Sequence, residues 1–187
     1  ERSYHDVDFV WVQPKHTTHT ILVNAICAFG SRLEHANING MSHLIEHLAF
    51  TGNVSINDWD DLQVEDVLVD TLKHSKKVVK WVDILDAIGS EYNAGTYKEK
   101  IHFHIECLPK YTAIAIWCLK RMLFHKTLQE DDIEKQKKIV INEIEERYQD
   151  PENIIINAIH LDMFPNNSLS QTIAGKKEII AAFNKKD

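Results

Sequence analysis

Residues 40–52 read Gly40-Met41-Ser42-His43-Leu44-Ile45-Glu46-His47-Leu48-Ala49-Phe50-Thr51-Gly52. Asn37, Asn39 and Gly40 offer cap chemistry ahead of the stretch, and Gly52 closes it, so the pattern predicts a helix from about Met41 to Thr51. Taking Met41 as zero at roughly 100° per residue, Leu44, Ile45, Leu48 and Ala49 fall between about −60° and +80°. His43, Glu46 and His47 fall between about 140° and 240°. One face is therefore built to anchor on a core and the other to open on a cleft.

The polar face carries chemistry. His43 and His47 are four residues apart, so both imidazoles project from one side of the helix, one turn from each other. Two nitrogens so placed can reach a single ion at about 2.0–2.1 Å, the usual zinc–nitrogen distance. Glu46 lies beside His47 without having to be a ligand. A catalytic zinc lowers the pKa of its water towards about 7, and a neighbouring carboxylate can take that proton and later deliver it to a leaving amine. Such a zinc needs a third protein ligand. The residues alone leave several candidates open. His102 and His104 share one face of a strand, two apart. Glu143 flanks the apolar stripe of Ile133, Val140 and Ile144 in a later helix, while Glu145 and Glu146 point further away. Glu143 ranks first among them.

Outward from this segment, residues 8–12 and 19–29 are rich in β-branched and aromatic side chains and read as strands, with a polar turn at Pro14-Lys15-His16. The link between them is too short for a parallel crossover. Residues 91–97 and 101–107 read as two more strands, because Ile101, Phe103, Ile105 and Cys107 alternate with His102, His104 and Glu106. Helices are expected over about 79–88, 110–126 and 131–148, the last stopped by Pro151, with further segments near 152–163 and 175–184. Grouped strands and helices without regular βαβ units indicate the α+β class: a mainly antiparallel sheet with helices packed on it. The stretch from 54 to 88 is mixed, charged and harder to place.

The chain has 187 residues, 44% of them hydrophobic and 26% charged, the make-up of a globular domain with its own core. Its net charge of −7, from 28 acidic and 21 basic residues, argues against nucleic acid as a partner. Lys76-Lys77 and Lys137-Lys138 read as solvated helix faces. Cys27, Cys107 and Cys118 form no Cys-x-x-Cys pair and sit in apolar stretches, as buried reduced thiols do, which leans towards a reducing compartment such as the cytoplasm. No apolar run is long enough to span a membrane, and no Gly-x-Ser-x-Gly elbow supports a serine hydrolase.

Four blocks, in order along the chain, resemble the M16 metallopeptidases, the insulinase and pitrilysin family that includes mitochondrial processing peptidase. His43-Leu44-Ile45-Glu46-His47 matches that family's inverted zinc motif His-x-x-Glu-His. Gly30-Ser31-Arg32-Leu33-Glu34 looks like its turn after an inner strand, Asn93-Ala94-Gly95-Thr96 like its Asn-Ala-x-Thr strand, and Ile139-Val140-Ile141-Asn142-Glu143-Ile144 like its later ligand helix. The resemblance implies a LuxS/metallohydrolase-like α+β domain over residues 1–187 that stops before the domain's last strands. It implies a Zn2+ cofactor held by His43, His47 and Glu143, with Glu46 as the general base of an endopeptidase. It implies substrate backbone at Asn93 and Ala94, where a peptide adds to the sheet edge. It also implies a second M16 half, in the same chain or in a partner subunit, that completes the site. Two features depart from the pattern. Gln136 stands where the family often has a second glutamate, one that supports the metal ligands from behind. The separation of His47 from Glu143 is long, which reads as an insertion over residues 54–88. A non-catalytic subunit or scaffold of the same fold is the alternative function.

Overall fold

The computed structural model describes residues 2–4, 7–12, 15, 18–54, 70–72, 74, 79–124 and 128–185. In chain order the strands are β1 (Arg2–Tyr4), β2 (Val7–Phe9), β3 (Ile21–Cys27), β4 (Glu91–Thr96) and β5 (Ile101–Cys107). The helices are α1 (Met41–Ala49), α2 (Trp81–Ala87), α3 (Thr112–Phe124), α4 (Glu130–Arg147), α5 (Pro151–Met163) and α6 (Lys177–Ala182).

The alternation in residues 101–107 decides the sheet. Ile101, Phe103, Ile105 and Cys107 are all buried, while His102, His104 and Glu106 are half-buried on the other face. A strand with so strong an apolar row takes the middle of the sheet, and the order is β3-β5-β4 with both pairings antiparallel. Phe103 stands opposite Ala25 on one side and Ala94 on the other. The apolar row packs with Trp81, Ile84 and Leu85 of α2 and Ile114, Trp117 and Cys118 of α3. Burial raises the Cys118 thiol to about 12, the condition of an inert core cysteine. All three cysteines are free, with Cys107 and Cys118 buried and Cys27 half-buried. The α+β class with an antiparallel sheet is the observed one.

A second cluster lies away from the sheet. Leu44 and Leu48 of α1 meet Ile133, Val140 and Ile144 of α4 and Ile180 of α6. Ala49 belongs to the first cluster. Helix α1 is thus the seam between the two cores. Ile45, expected on the buried stripe, is 43% exposed. The partners of α1 come from two directions and leave this side of the helix uncovered.

Other expectations need correction. Residues 8–12 and 19–29 do not pair with each other. Val7–Phe9 pairs with Arg2–Tyr4 in a separate two-stranded sheet, and Ile21–Cys27 pairs with Ile101–Cys107. Val10, Trp11 and Val12 are exposed and outside any strand. Pro14 and His16, expected in the turn, lie outside the described residues, as do Lys76 and Lys77. Lys137 is not on a solvated face. It is buried, and its Nζ donates to Glu134 Oε1 at 2.6 Å and to the Phe183 carbonyl at 2.8 Å. A lysine snorkels its stem along apolar surface while its ammonium finds acceptors, and here those acceptors are protein rather than water.

Most of the segment expected as an insertion, residues 55–69, 73 and 75–78, is outside the described residues. Its flanks are held together: Val54 N donates to the Val79 carbonyl at 2.8 Å, and Asn53 bridges Lys80. Downstream, Pro151 occupies the first turn of α5 and Asp150 caps it by accepting from Glu152 N. Helix α5 buries none of its residues, and Ile154, Ile155, Ile159, Leu161 and Met163 are exposed. Among the described residues no helix is long and apolar enough to cross a membrane.

Candidate metal centre

The order of the site begins at Glu34. Its buried carboxylate accepts from Ser42 N at 2.6 Å through Oε1, and from Gly40 N at 2.8 Å and Asn39 Nδ2 at 3.0 Å through Oε2. The first N–H groups of a helix have no intrahelical partner, and that end carries partial positive charge, so an anion there fixes the entry of α1. Gly40 has φ +99°, a conformation that disfavours other residues. A Cβ on it would stand 2.8 Å from the Ala174 carbonyl oxygen and 2.9 Å from Gly175 Cα. The start of α1 is therefore pressed against the segment that leads into α6.

Packing of α1 on α4 through Leu44, Leu48, Val140 and Ile144 brings Glu143 to the two histidines. His43 Nε2 and His47 Nε2 are 3.3 Å apart, and Glu143 Oε2 lies 3.5 Å from the first and 3.3 Å from the second. Three ligands of a tetrahedral ion at 2.0–2.1 Å stand about 3.3 Å from one another. The three donor atoms already have the spacing of one face of a zinc tetrahedron. Among the described residues, this is the one group of three such side chains whose ligand atoms converge.

The protonation states suit the same use. Burial holds His43 down at about 4, against the opposing pull of Glu143. Its Nδ1 is buried without a hydrogen-bond partner of good geometry, and the Ala174 carbonyl adds only a weak contact. For His47, burial pushes downward, but the hydrogen bond and charge of Glu143, with help from Glu46 and Gln136, outweigh it and raise the pKa. The hydrogen bond from His47 takes Glu143 down to about 2 against the effect of burial, helped by Arg147 and His43. At neutral pH the site thus holds a neutral His43 and an ionised Glu143, both in ligand form.

Two further side chains act on these groups. Arg147 Nε and Nη2 both donate to Glu143 Oε1, at 2.9 and 2.7 Å, leaving Oε2 turned to the histidines. Gln136, one of the sequence candidates, acts on His47 by helping to raise its pKa. Glu46 faces strand β4, where the Thr96 hydroxyl donates to its Oε2 at 2.5 Å. On the same strand Asn93 is exposed and Ala94 half-buried, and Asn93 Oδ1 accepts from Ala94 N at 2.8 Å.

The remaining candidates do not join the group. His102 and His104 stack on each other with centroids 5.3 Å apart, and His102 Nε2 bonds Asn24 Oδ1 at 2.8 Å. Glu145 and Glu146 are exposed, Glu145 lying 3.6 Å from Lys177. Sequence reasoning gave no role to Glu34, Thr96 or Arg147. Arg147 had a signal, being four residues after Glu143 on one helix. Glu34 and Thr96 close two of the blocks that carry the family resemblance, but they act across tertiary contacts, and the sequence did not say what they bond.

Comparison with known proteins bears on the family and the fold. The sequence profile described as insulinase (peptidase family M16) matches residues 9–68 and 64–177. The chain is 28% identical over 168 residues to the uncharacterised zinc protease YmxG of Bacillus subtilis, covering 90% of this chain and 36% of that one. It is 28% identical over 169 residues to the mitochondrial-processing peptidase subunit beta of Caenorhabditis elegans, covering 90% and 32%. In fold it is similar to a protease from Helicobacter pylori, with a TM-score of 0.74 at 19% identity over 91% of this chain and 36% of that one. It is also similar to a peptidase M16 inactive domain from Pseudomonas fluorescens, with a TM-score of 0.68 at 14% identity over 90% and 36%. The chain spans about a third of the length of these relatives. A profile match over most of its residues, on this fold and with this ligand geometry, makes the chain a member of the insulinase family, peptidase family M16.

Proposed function

We propose that this chain is the zinc-holding part of an endopeptidase that cleaves peptides or unfolded segments. The observation that carries the reading is the convergence of His43, His47 and Glu143 at tetrahedral spacing, with Glu46 one residue from a ligand. In this reading His43 Nε2, His47 Nε2 and Glu143 Oε2 hold Zn2+. The ion, when bound, supplies Lewis-acid polarisation of the scissile carbonyl and a ready source of hydroxide near neutral pH.

The chain's own residues do the rest. Arg147 fixes the Glu143 carboxylate so that one oxygen is committed to the site. Glu46 takes the proton of the attacking water and returns it to the leaving amine. Strand β4 bonds β5 and has no further strand on its other side among the described residues, so a peptide can add there beside Asn93 and Ala94. The relatives' greater length supports a second half, in the same chain or a partner, that closes over the site. A non-catalytic scaffold of this fold is the lesser reading, because a scaffold has no need of a complete ligand set backed by Arg147.

The test is Glu46→Gln in the complete protein. Zinc content stays at the wild-type level, and peptide hydrolysis falls by roughly 10²–10⁴-fold, the range of a lost general base. Wild-type activity in that variant would rule out the proposed mechanism.

A further inference from the structure

We propose that Thr96 is a positioning residue for Glu46, and that through it strand β4 sets the direction in which the carboxylate acts. The inference rests on the role given to Glu46 above. A glutamate on a half-buried helix face has three rotatable side-chain bonds and no reason of its own to hold one direction. Glu46 is held. The Thr96 hydroxyl lies 2.5 Å from Glu46 Oε2 and 3.5 Å from the Ser42 carbonyl. A hydroxyl has one proton to give, and the shorter contact, to the carboxylate oxygen, takes it.

The donor is well chosen for the purpose. Thr96 ends β4, where it pairs with Ile101 of the central strand, so its backbone is fixed by the sheet. A β-branched side chain in a strand has a restricted χ1, and its hydroxyl inherits that direction. With Oε2 occupied by Thr96, Oε1 is the oxygen left to receive and return a proton. Asn93 and Ala94 are on the same short strand as Thr96, so the edge proposed to receive the peptide and the hydroxyl that holds Glu46 share one rigid element.

The experiment compares Thr96→Val and Thr96→Ser with Glu46→Gln in the complete protein. Thr96→Val keeps the shape and removes the donor. It lowers kcat by about 10–100-fold, as loss of an orienting partner does, with KM within about threefold. Its zinc content is that of the wild type, and its crystal structure shows the Glu46 carboxylate moved from the strand. Thr96→Ser restores the hydroxyl and recovers most of kcat. Added to Glu46→Gln, Thr96→Val causes no further loss. Should the valine variant lose zinc or unfold, Thr96→Ala, which removes the hydroxyl without adding bulk or a metal ligand, is used with the same expectations. If Glu46→Gln is inactive while the Thr96 variants keep wild-type kcat, or if Glu46 stays in place without the hydroxyl, the positioning role is overturned and the proposed function stands. If Glu46→Gln is fully active, the proposed function fails and this inference fails with it.

Discussion

Among the described residues two close histidine pairs, His43 with His47 and His102 with His104, behave differently. His43 and His47, four apart on α1, point their Nε2 atoms at one spot, where Glu143 of another helix supplies the third oxygen. His102 and His104, two apart on β5, stack their rings, and one of them is satisfied by Asn24. Both spacings suit a metal in principle. The difference lies in what the second core cluster brings. Leu44 and Leu48 lock α1 onto α4 and so deliver a carboxylate, already oriented by Arg147, to the first pair. No described carboxylate converges on the second pair. The convergence of donor atoms here is a product of helix packing, and histidine spacing is only its starting condition.

The sharpest way to break this comparison is to remove the delivered carboxylate. Glu143→Ala weakens zinc binding by more than about 100-fold, beyond what loss of an outer partner costs, while His102→Ala combined with His104→Ala leaves it unchanged. Competition with a chelator of known affinity measures both. Next in size is Arg147→Gln, which frees the second oxygen of Glu143 and costs about 10–100-fold in zinc affinity by the same measurement.

Acid then separates the two histidines proposed as ligands. His43 is held down at about 4 and Glu143 at about 2, so in mildly acidic solution only His47, whose pKa is raised, carries a proton that must leave on binding. Protonated imidazole cannot bind metal, so affinity is lost as pH falls below the His47 value. The loss is about tenfold per unit down to about pH 5, the slope of one proton. Isothermal titration across pH gives that slope, and a slope of two would mean that both histidines titrate together. The smallest effect is expected from Gln136→Glu. A carboxylate in place of the amide that already helps raise the His47 pKa increases the basicity of that histidine and tightens zinc by up to about tenfold.

Much of this was legible in the sequence. The helix expected from Met41 to Thr51 runs from Met41 to Ala49, and the strand expected over 101–107 has those bounds. Apolar periodicity is a local property, so it reports local elements well. Partnership is not local. Val7–Phe9 pairs with Arg2–Tyr4, and Ile21–Cys27 reaches across the chain to Ile101–Cys107, which no pattern in either stretch states. Ile45 and Lys137 were misplaced for the same reason: their exposure depends on which elements arrive beside them. In the site, His43, Glu46 and His47 are fixed by spacing on one helix. The place of Glu143 in the ligand set came from the resemblance, because spacing cannot say which of several acids crosses between helices. Glu34 and Thr96 stand in two of the resembling blocks, but their bonds to the start of α1 and to Glu46 exist only once the fold places them.

The central claim is the position of the ion. A crystal of the protein grown with zinc, measured at the zinc absorption edge, tests it directly through the anomalous difference map. The account predicts one strong peak per chain at about 2.0–2.1 Å from His43 Nε2, His47 Nε2 and a Glu143 oxygen. A peak beside His102 and His104, or none at Glu143, would contradict it.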